Sequence, residues 1–128
     1  MKSPVPAVID AYFARLNADD WDAFAELWTD DAELRAVGFR PCVGKEAVLA
    51  YYPAVLAHYR SHRDAVGRVV AAGDTVTVEI HFTGDTAEGH PVEFDAVDVF
   101  DLRDGKIARL SSWYDTALVG RMVKGDTR

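Results

Sequence analysis

From Pro6 to Asn17 the apolar residues Val8, Ile9, Tyr12, Phe13 and Leu16 recur at three- and four-residue steps, which is the period of one helical face. This predicts a first amphipathic helix, with Pro4 or Pro6 suited to its opening turn. Asp19-Asp20 then offers an N-cap for a second helix through Trp21, Phe24, Ala25, Leu27 and Trp28, with Asp22 favourably placed in the first turn. Thr29-Asp30-Asp31 is expected to end it. Ala32 to Val37 reads as a short strand, and Gly38 to Gly44, containing Pro41, as a loop. A third helix is expected from Lys45 to about Tyr59, with Val48, Leu49, Tyr52, Val55, Leu56 and Tyr59 on one side. Pro53 must kink it or divide it in two.

After the polar patch His58 to Asp64 the period changes to two. Val66 to Ala71 and Thr75 to Thr83 read as strands joined by Ala72-Gly73-Asp74. In the second of them Val76, Val78, Ile80 and Phe82 alternate with Thr75, Thr77, Glu79, His81 and Thr83. Gly84 to His90 is a polar loop. The chain then enters the stretch around which the rest is arranged, Val92 to Thr116, two strand-like runs about an Asp104-Gly105 turn. Phe94, Ala96, Asp98, Phe100 and Leu102 share one face of the first run. Thr116 can cap a short helix through Leu118, Val119 and Met122, and residues 124–128 are expected to fray. Helices first and antiparallel strands afterwards give an α+β fold, helices packed on one face of a curved sheet.

At 128 residues and 49% hydrophobic content the chain is sized for one domain, 1–128, with a substantial core. A net charge of −7 with no basic stripe argues against nucleic-acid and anionic-membrane partners. Cys42 is a single cysteine and cannot form an intrachain disulfide. Met1 to Pro4 lacks the apolar core of a signal peptide, and no apolar run reaches the roughly 18 residues a bilayer requires. A soluble, cytoplasmic protein is the expectation.

Asp98 stands out because it lies on the more apolar face of its strand. A carboxyl there either finds a structural partner or has its pKa raised, and the second case marks a site candidate. Asp115, at the end of the last strand, either points out as a reactive carboxylate or only caps the final helix. Tyr12 lies on the apolar face of the first helix, as a core residue or with its hydroxyl toward a pocket. Trp28, Tyr51, Phe82, Phe94, Trp113 and Tyr114 are the aromatics expected to line an apolar ligand site, with Trp21, Phe24 and Tyr52 in the core. His58 and His62 are spaced as two metal ligands could be, yet no third ligand accompanies them, so no metal is expected. His81 falls on the outer face of its strand. No phosphate-binding loop, nucleophile elbow or Cys-His pair is present, and no cofactor is expected.

The order of elements, together with LWTDDAEL, GDTVTVEIHFTG and VDVFDLRDGKIARLSSWYDTALVGRM, resembles the SnoaL-like branch of the nuclear-transport-factor-2-like superfamily across nearly the whole chain. The resemblance implies a cone-shaped domain whose helices and curved sheet enclose one apolar pocket, commonly in a homodimer. It implies little about function, because the fold hosts isomerases, cyclases, dehydratases, epoxide hydrolases and non-catalytic members. In ketosteroid isomerase, a worked case of acid-base tuning, a helix tyrosine and a protonated aspartic acid stabilise the oxyanion. Tyr12 and Asp98 match those positions, Tyr114 matches a pocket aromatic, and Ala36 stands where the general base would be. In polyketide cyclases the base is an aspartate at the end of the last strand, which Asp115 matches. Leu110, Ser111 and Ser112 replace the His-Trp pair frequent there. Two readings follow. One is a cofactor-independent proton-transfer enzyme of isomerase, cyclase or dehydratase type, acting on a small apolar carbonyl compound with Asp115 as base and Asp98 and Tyr12 as oxyanion donors. The other is a non-catalytic ligand-binding or scaffold protein that keeps the pocket.

Overall fold

The computed structural model describes residues 5–126, so Pro4 and the end of the expected tail lie outside the described residues. Three helices, α1 (Ala7–Asn17), α2 (Trp21–Ala25) and α3 (Lys45–Leu56), precede most of the strands, and α4 (Thr116–Val123) follows them. The strands are β1 (Trp28–Ala36), β2 (Cys42–Val43), β3 (Tyr59–Ala72), β4 (Thr75–Thr86), β5 (Pro91–Arg103) and β6 (Lys106–Tyr114). They form one curved, unclosed sheet in the order β2-β1-β6-β5-β4-β3, antiparallel throughout except for the β1–β6 pair. The expected α+β architecture is therefore present.

Strand β5 pairs with β4 on one side and β6 on the other, with Asp98 opposite Val78 and Ser112. Bulges interrupt the β3–β4 register between Val66 and Val69 and the β5–β6 register at Asp101. An extra residue on one strand bends it and increases the local twist, so these bulges curve the sheet toward the helices. The Asp104-Gly105 turn has both residues at positive φ, 53° and 78°, the backbone that tightens a hairpin in step with strand twist. Ile9, Tyr12, Phe13 and Leu16 of α1, Phe24 of α2 and Val48 and Tyr52 of α3 close over the inner face, against Val76, Val78, Phe100 and Leu110.

Three boundaries differ from the sequence reading. Helix α2 stops at Ala25, and Trp28 opens β1, because the Ile107 amide takes the Leu27 carbonyl at 2.8 Å and draws the chain into the sheet. Helix α3 runs unbroken through Pro53 and ends at Leu56, which frees Tyr59 to start a strand. The polar patch then becomes the first half of β3, whose residues pair with β4 as far back as Tyr59 opposite Thr86. Beyond α4, the amides of Lys124, Gly125 and Asp126 donate to Gly120, Met122 and Arg121 carbonyls, so the described part of the tail closes as a hydrogen-bonded cap. Among the described residues no helix is long and apolar enough to cross a membrane.

Candidate functional site

The helices and the concave face of the sheet enclose a cavity of about 150 Å³. One wall is aromatic: Tyr59, Phe82, Phe94 and Tyr114 form a continuous row, with successive ring centroids 5.3, 4.9 and 5.3 Å apart. Tyr51, Val55 and Leu56 of α3 and Leu34 and Ala36 of β1 supply part of the remainder. The volume matches a dry cavity that holds a benzene-sized molecule. Among the described residues, the polar groups that break this surface include Tyr12, Tyr52, His62, Asp64, Asp98 and Ser112, and no lysine or arginine lines it.

Asp98 is 4% exposed. The alternation of β5 that buries Phe100 also turns Asp98 inward, away from water. Burial pushes its pKa up to about 7; the Ser112 side chain hydrogen-bonds it and opposes the rise, and the neighbouring Asp64 charge adds to it. Asp64, two residues after His62 on β3, also faces the cavity, and burial pushes it up to about 6 against the opposing influence of His62. Its backbone is clamped by the Asn17 amide group, which donates to the Asp64 carbonyl at 2.9 Å and accepts from the Asp64 amide at 2.8 Å. The Tyr12 and Tyr52 hydroxyls lie 3.0 Å apart. Burial raises both pKa values well above the ordinary phenol range, so both remain neutral hydrogen-bonding groups. Tyr51 is also raised by burial.

The structure thus brings Tyr12 and Asp98 to one cavity and adds Asp64, Tyr52 and Ser112 to them. It does not bring Asp115 there. That side chain is exposed and accepts the Leu118 amide at 3.0 Å as the N-cap of α4, the alternative the sequence left open. Tyr51, Phe82, Phe94 and Tyr114 line the cavity as expected, whereas Trp28 and Trp113 do not. Trp28 is fully buried in the core beneath Tyr12, Phe24 and Tyr52, with its Nε1 lacking a partner. Trp113, opposite Val97 on the outward side of the sheet, is 54% exposed. His81 is outward too, between Asp95 at 2.8 Å and Glu93 at 2.6 Å, and these carboxylates raise its pKa. Among the described residues no group of three or more His, Cys, Asp or Glu is placed to hold a metal ion. Asp64 escaped the sequence reading because its segment looked like a polar patch. The available signal was the two-residue step from His62 to Asp64, which carries the β3 alternation upstream.

The family model for the SnoaL-like domain matches residues 9–110, which contain α1 through most of β6 and hence most of the cavity. The chain belongs to the SnoaL-like domain family. Solved structures of this fold superpose closely. A protein of ketosteroid isomerase-like fold from Catenulispora acidiphila, in complex with trimethylamine, matches with TM-score 0.86 at 17% identity, over 94% of this chain and 95% of that one. A proposed polyketide cyclase from Sinorhizobium meliloti matches with TM-score 0.75 at 26% identity, over 85% and 95%. An epoxide hydrolase from M. tuberculosis matches with TM-score 0.79 at 19% identity, over 93% and 88%. A search among curated proteins found no match. This SnoaL-like chain therefore shares its scaffold with proteins of different chemistries, and its own side chains must carry the functional argument.

Proposed function

We propose that this SnoaL-like protein is a cofactor-independent enzyme that moves a proton on a small, uncharged, largely apolar carbonyl compound held in the cavity. The observation that carries the reading is the presence of two carboxyls, half-buried Asp64 and buried Asp98, on one apolar cavity, pushed up to about 6 and about 7. Near neutral pH that difference leaves Asp64 the more ionised and Asp98 the more protonated, a division into base and acid. Asp64 would take the proton from the carbon beside the carbonyl. The electron pair of that C–H bond moves onto the carbonyl oxygen, where Asp98 and the Tyr12–Tyr52 hydroxyl pair donate hydrogen bonds to the developing charge. Return of the proton to another carbon completes an isomerisation. Attack of the enolate carbon on a second carbonyl of the same molecule forms a ring and an alkoxide, which takes up the proton held by Asp64, a course that fits the cyclase assignment of the Sinorhizobium relative. The base moves from Asp115, which the cyclase resemblance implied, to Asp64. That no lysine or arginine among the described residues lines the cavity favours an uncharged substrate.

The test is exchange of the α-protons of cyclohexanone into D2O, followed by proton NMR. Catalysed exchange in the wild type, lost in Asp64→Asn and slowed in Asp98→Asn, supports the reading. A second reading, a non-catalytic ligand-binding protein, is favoured by Ala36, which lines the cavity where the isomerase base would stand. Exchange no faster than buffer, with cyclohexanone bound equally by wild type and Asp64→Asn, would establish that alternative.

A further inference from the structure

Asp19 and His62 form a polar pair that the proton-transfer chemistry leaves unused. Asp19 Oδ1 lies 2.6 Å from His62 Nε2, and the two side chains are 58% and 9% exposed. The imidazole lines the cavity and shares the inner side of β3 with Asp64, the two residues standing opposite Gly84 and Phe82 of β4. Asp19 therefore faces solvent while His62 faces the cavity. Its position is built: Asp19 has φ 55°, a left-handed conformation that a non-glycine residue adopts at a cost. The turn that holds it is tied to β3 by the two Asn17–Asp64 hydrogen bonds. The same clamp sets Asp64 in the cavity and His62 against Asp19. Among the described residues the hydrogen bond of the His62 ring is the one from Nε2 to Asp19.

When the proton that half-buried Asp64 has taken exchanges with solvent instead of returning to the substrate, the carboxyl must release it toward water before it can act as base again. We infer that Asp19 and His62 form a proton relay connecting the Asp64 carboxyl to bulk water, an inference that rests on Asp64 as the base. The proton on the Asp64 carboxyl passes to His62 Nδ1, directly or through a cavity water. The resulting imidazolium is stabilised by the Asp19 carboxylate, and its Nε2 proton leaves along the 2.6 Å bond to Asp19 and then to water. Asp64 is again a carboxylate, and tautomeric exchange through water returns the ring to its starting form. The charged or titratable groups around the ring are Asp19 from the α1–α2 turn, Asp64 on its own strand, and Tyr12, Tyr52, Tyr59 and Asp98 across the cavity.

The experiment compares wild type with Asp19→Asn and His62→Gln. Asparagine tolerates the left-handed backbone and still accepts the Nε2 hydrogen bond, but it takes no proton. Glutamine keeps a donor toward Asp19 and likewise relays nothing. In dilute buffer, cyclohexanone exchange into D2O should slow by about tenfold or more in both variants, within the span general acid-base catalysis covers, and added imidazole should restore it. In parallel, carboxyl NMR titration of Asp64, whose rise His62 opposes, should show its step move upward in His62→Gln. Unchanged exchange rates in both variants would overturn the relay. If the wild type exchanges nothing, the proton-transfer reading has failed and the titration alone decides. An Asp64 step that moves upward in His62→Gln then supports the relay, and an Asp64 step indifferent to His62→Gln overturns it.

Discussion

The Tyr12 hydroxyl of α1 lies 3.0 Å from the Tyr52 hydroxyl of α3, both buried, with the rings packed edge to face at a centroid distance of 6.2 Å. One bond thus joins the two helices that roof the cavity. Removing one hydroxyl leaves the other buried without its partner, and an unsatisfied buried group costs about 1–3 kcal/mol. Tyr12→Phe and Tyr52→Phe should each lower stability within that range. The double variant should lose less than the two added together, because no orphan remains. Urea unfolding of the three variants checks this, and strict additivity would show that the hydroxyls act separately.

Asp98 sets the sign of the pH dependence of stability. Its folded pKa, about 7, lies above the ordinary carboxylate value, so between these limits the folded chain holds a proton that the unfolded chain has released. Stability should therefore fall as pH rises from about 4 to 7 and level off above. Asp64 adds a change of the same sign that ends near 6. Asp98→Asn removes the ionisation, and should be more stable than wild type at pH 8 and close to it at pH 4. The difference has an upper bound of about 4 kcal/mol at roughly 1.4 kcal/mol per unit. Denaturation midpoints at the two pH values measure it; equal midpoint differences at both would place the Asp98 pKa near its ordinary value.

Asp115 should behave as a helix cap. Its carboxylate receives the Leu118 amide at 3.0 Å, and replacing such a cap with alanine costs about 1 kcal/mol. Asp115→Ala should lower stability by that amount, while Asp115→Ser, which can still cap, should restore most of it. Cyclohexanone exchange should stay within a few-fold of wild type in both. A large loss of exchange with intact stability would return the base to this position.

The contrast between Asp98 and Asp64 shows what the sequence made legible. Asp98 could be read because Phe94, Ala96, Phe100 and Leu102 give its strand an apolar side, and a carboxyl on that side is conspicuous. Asp64 sits on a strand whose inward residues at this end are polar because they face a cavity and not the core. With His62 inward, and Ser61 and Arg63 exposed, no alternation of apolar and polar types remains to mark the strand. Trp28 and Trp113 were misplaced for a different reason. Side-chain size says nothing about which side of a sheet a tryptophan occupies, and the β1–β6 hydrogen bond at Leu27 that turns Trp28 into the core is a long-range contact. The Asp104-Gly105 turn, whose chemistry is local, was read correctly down to its two residues.

The cavity should discriminate by charge. Among the described residues two carboxyls line it and no lysine or arginine answers them, so an anion must enter against the Asp64 charge and leave its hydration behind. Benzamide and benzoate are each about the size of the cavity and differ chiefly in that charge. At pH 8, where Asp64 is ionised and Asp98 mostly so, benzoate should bind at least about tenfold more weakly than benzamide, a difference of 1.4 kcal/mol. At pH 5 both cavity carboxyls gain protons while benzoate remains largely charged, so the gap should narrow. Asp64→Asn should narrow it at pH 8 without the pH change, because the nearer fixed charge has gone. Isothermal titration of the two ligands at both pH values tests this. Benzoate binding as tightly as benzamide at pH 8 would mean that a cation outside the cavity lining compensates, and that anionic substrates belong in the search.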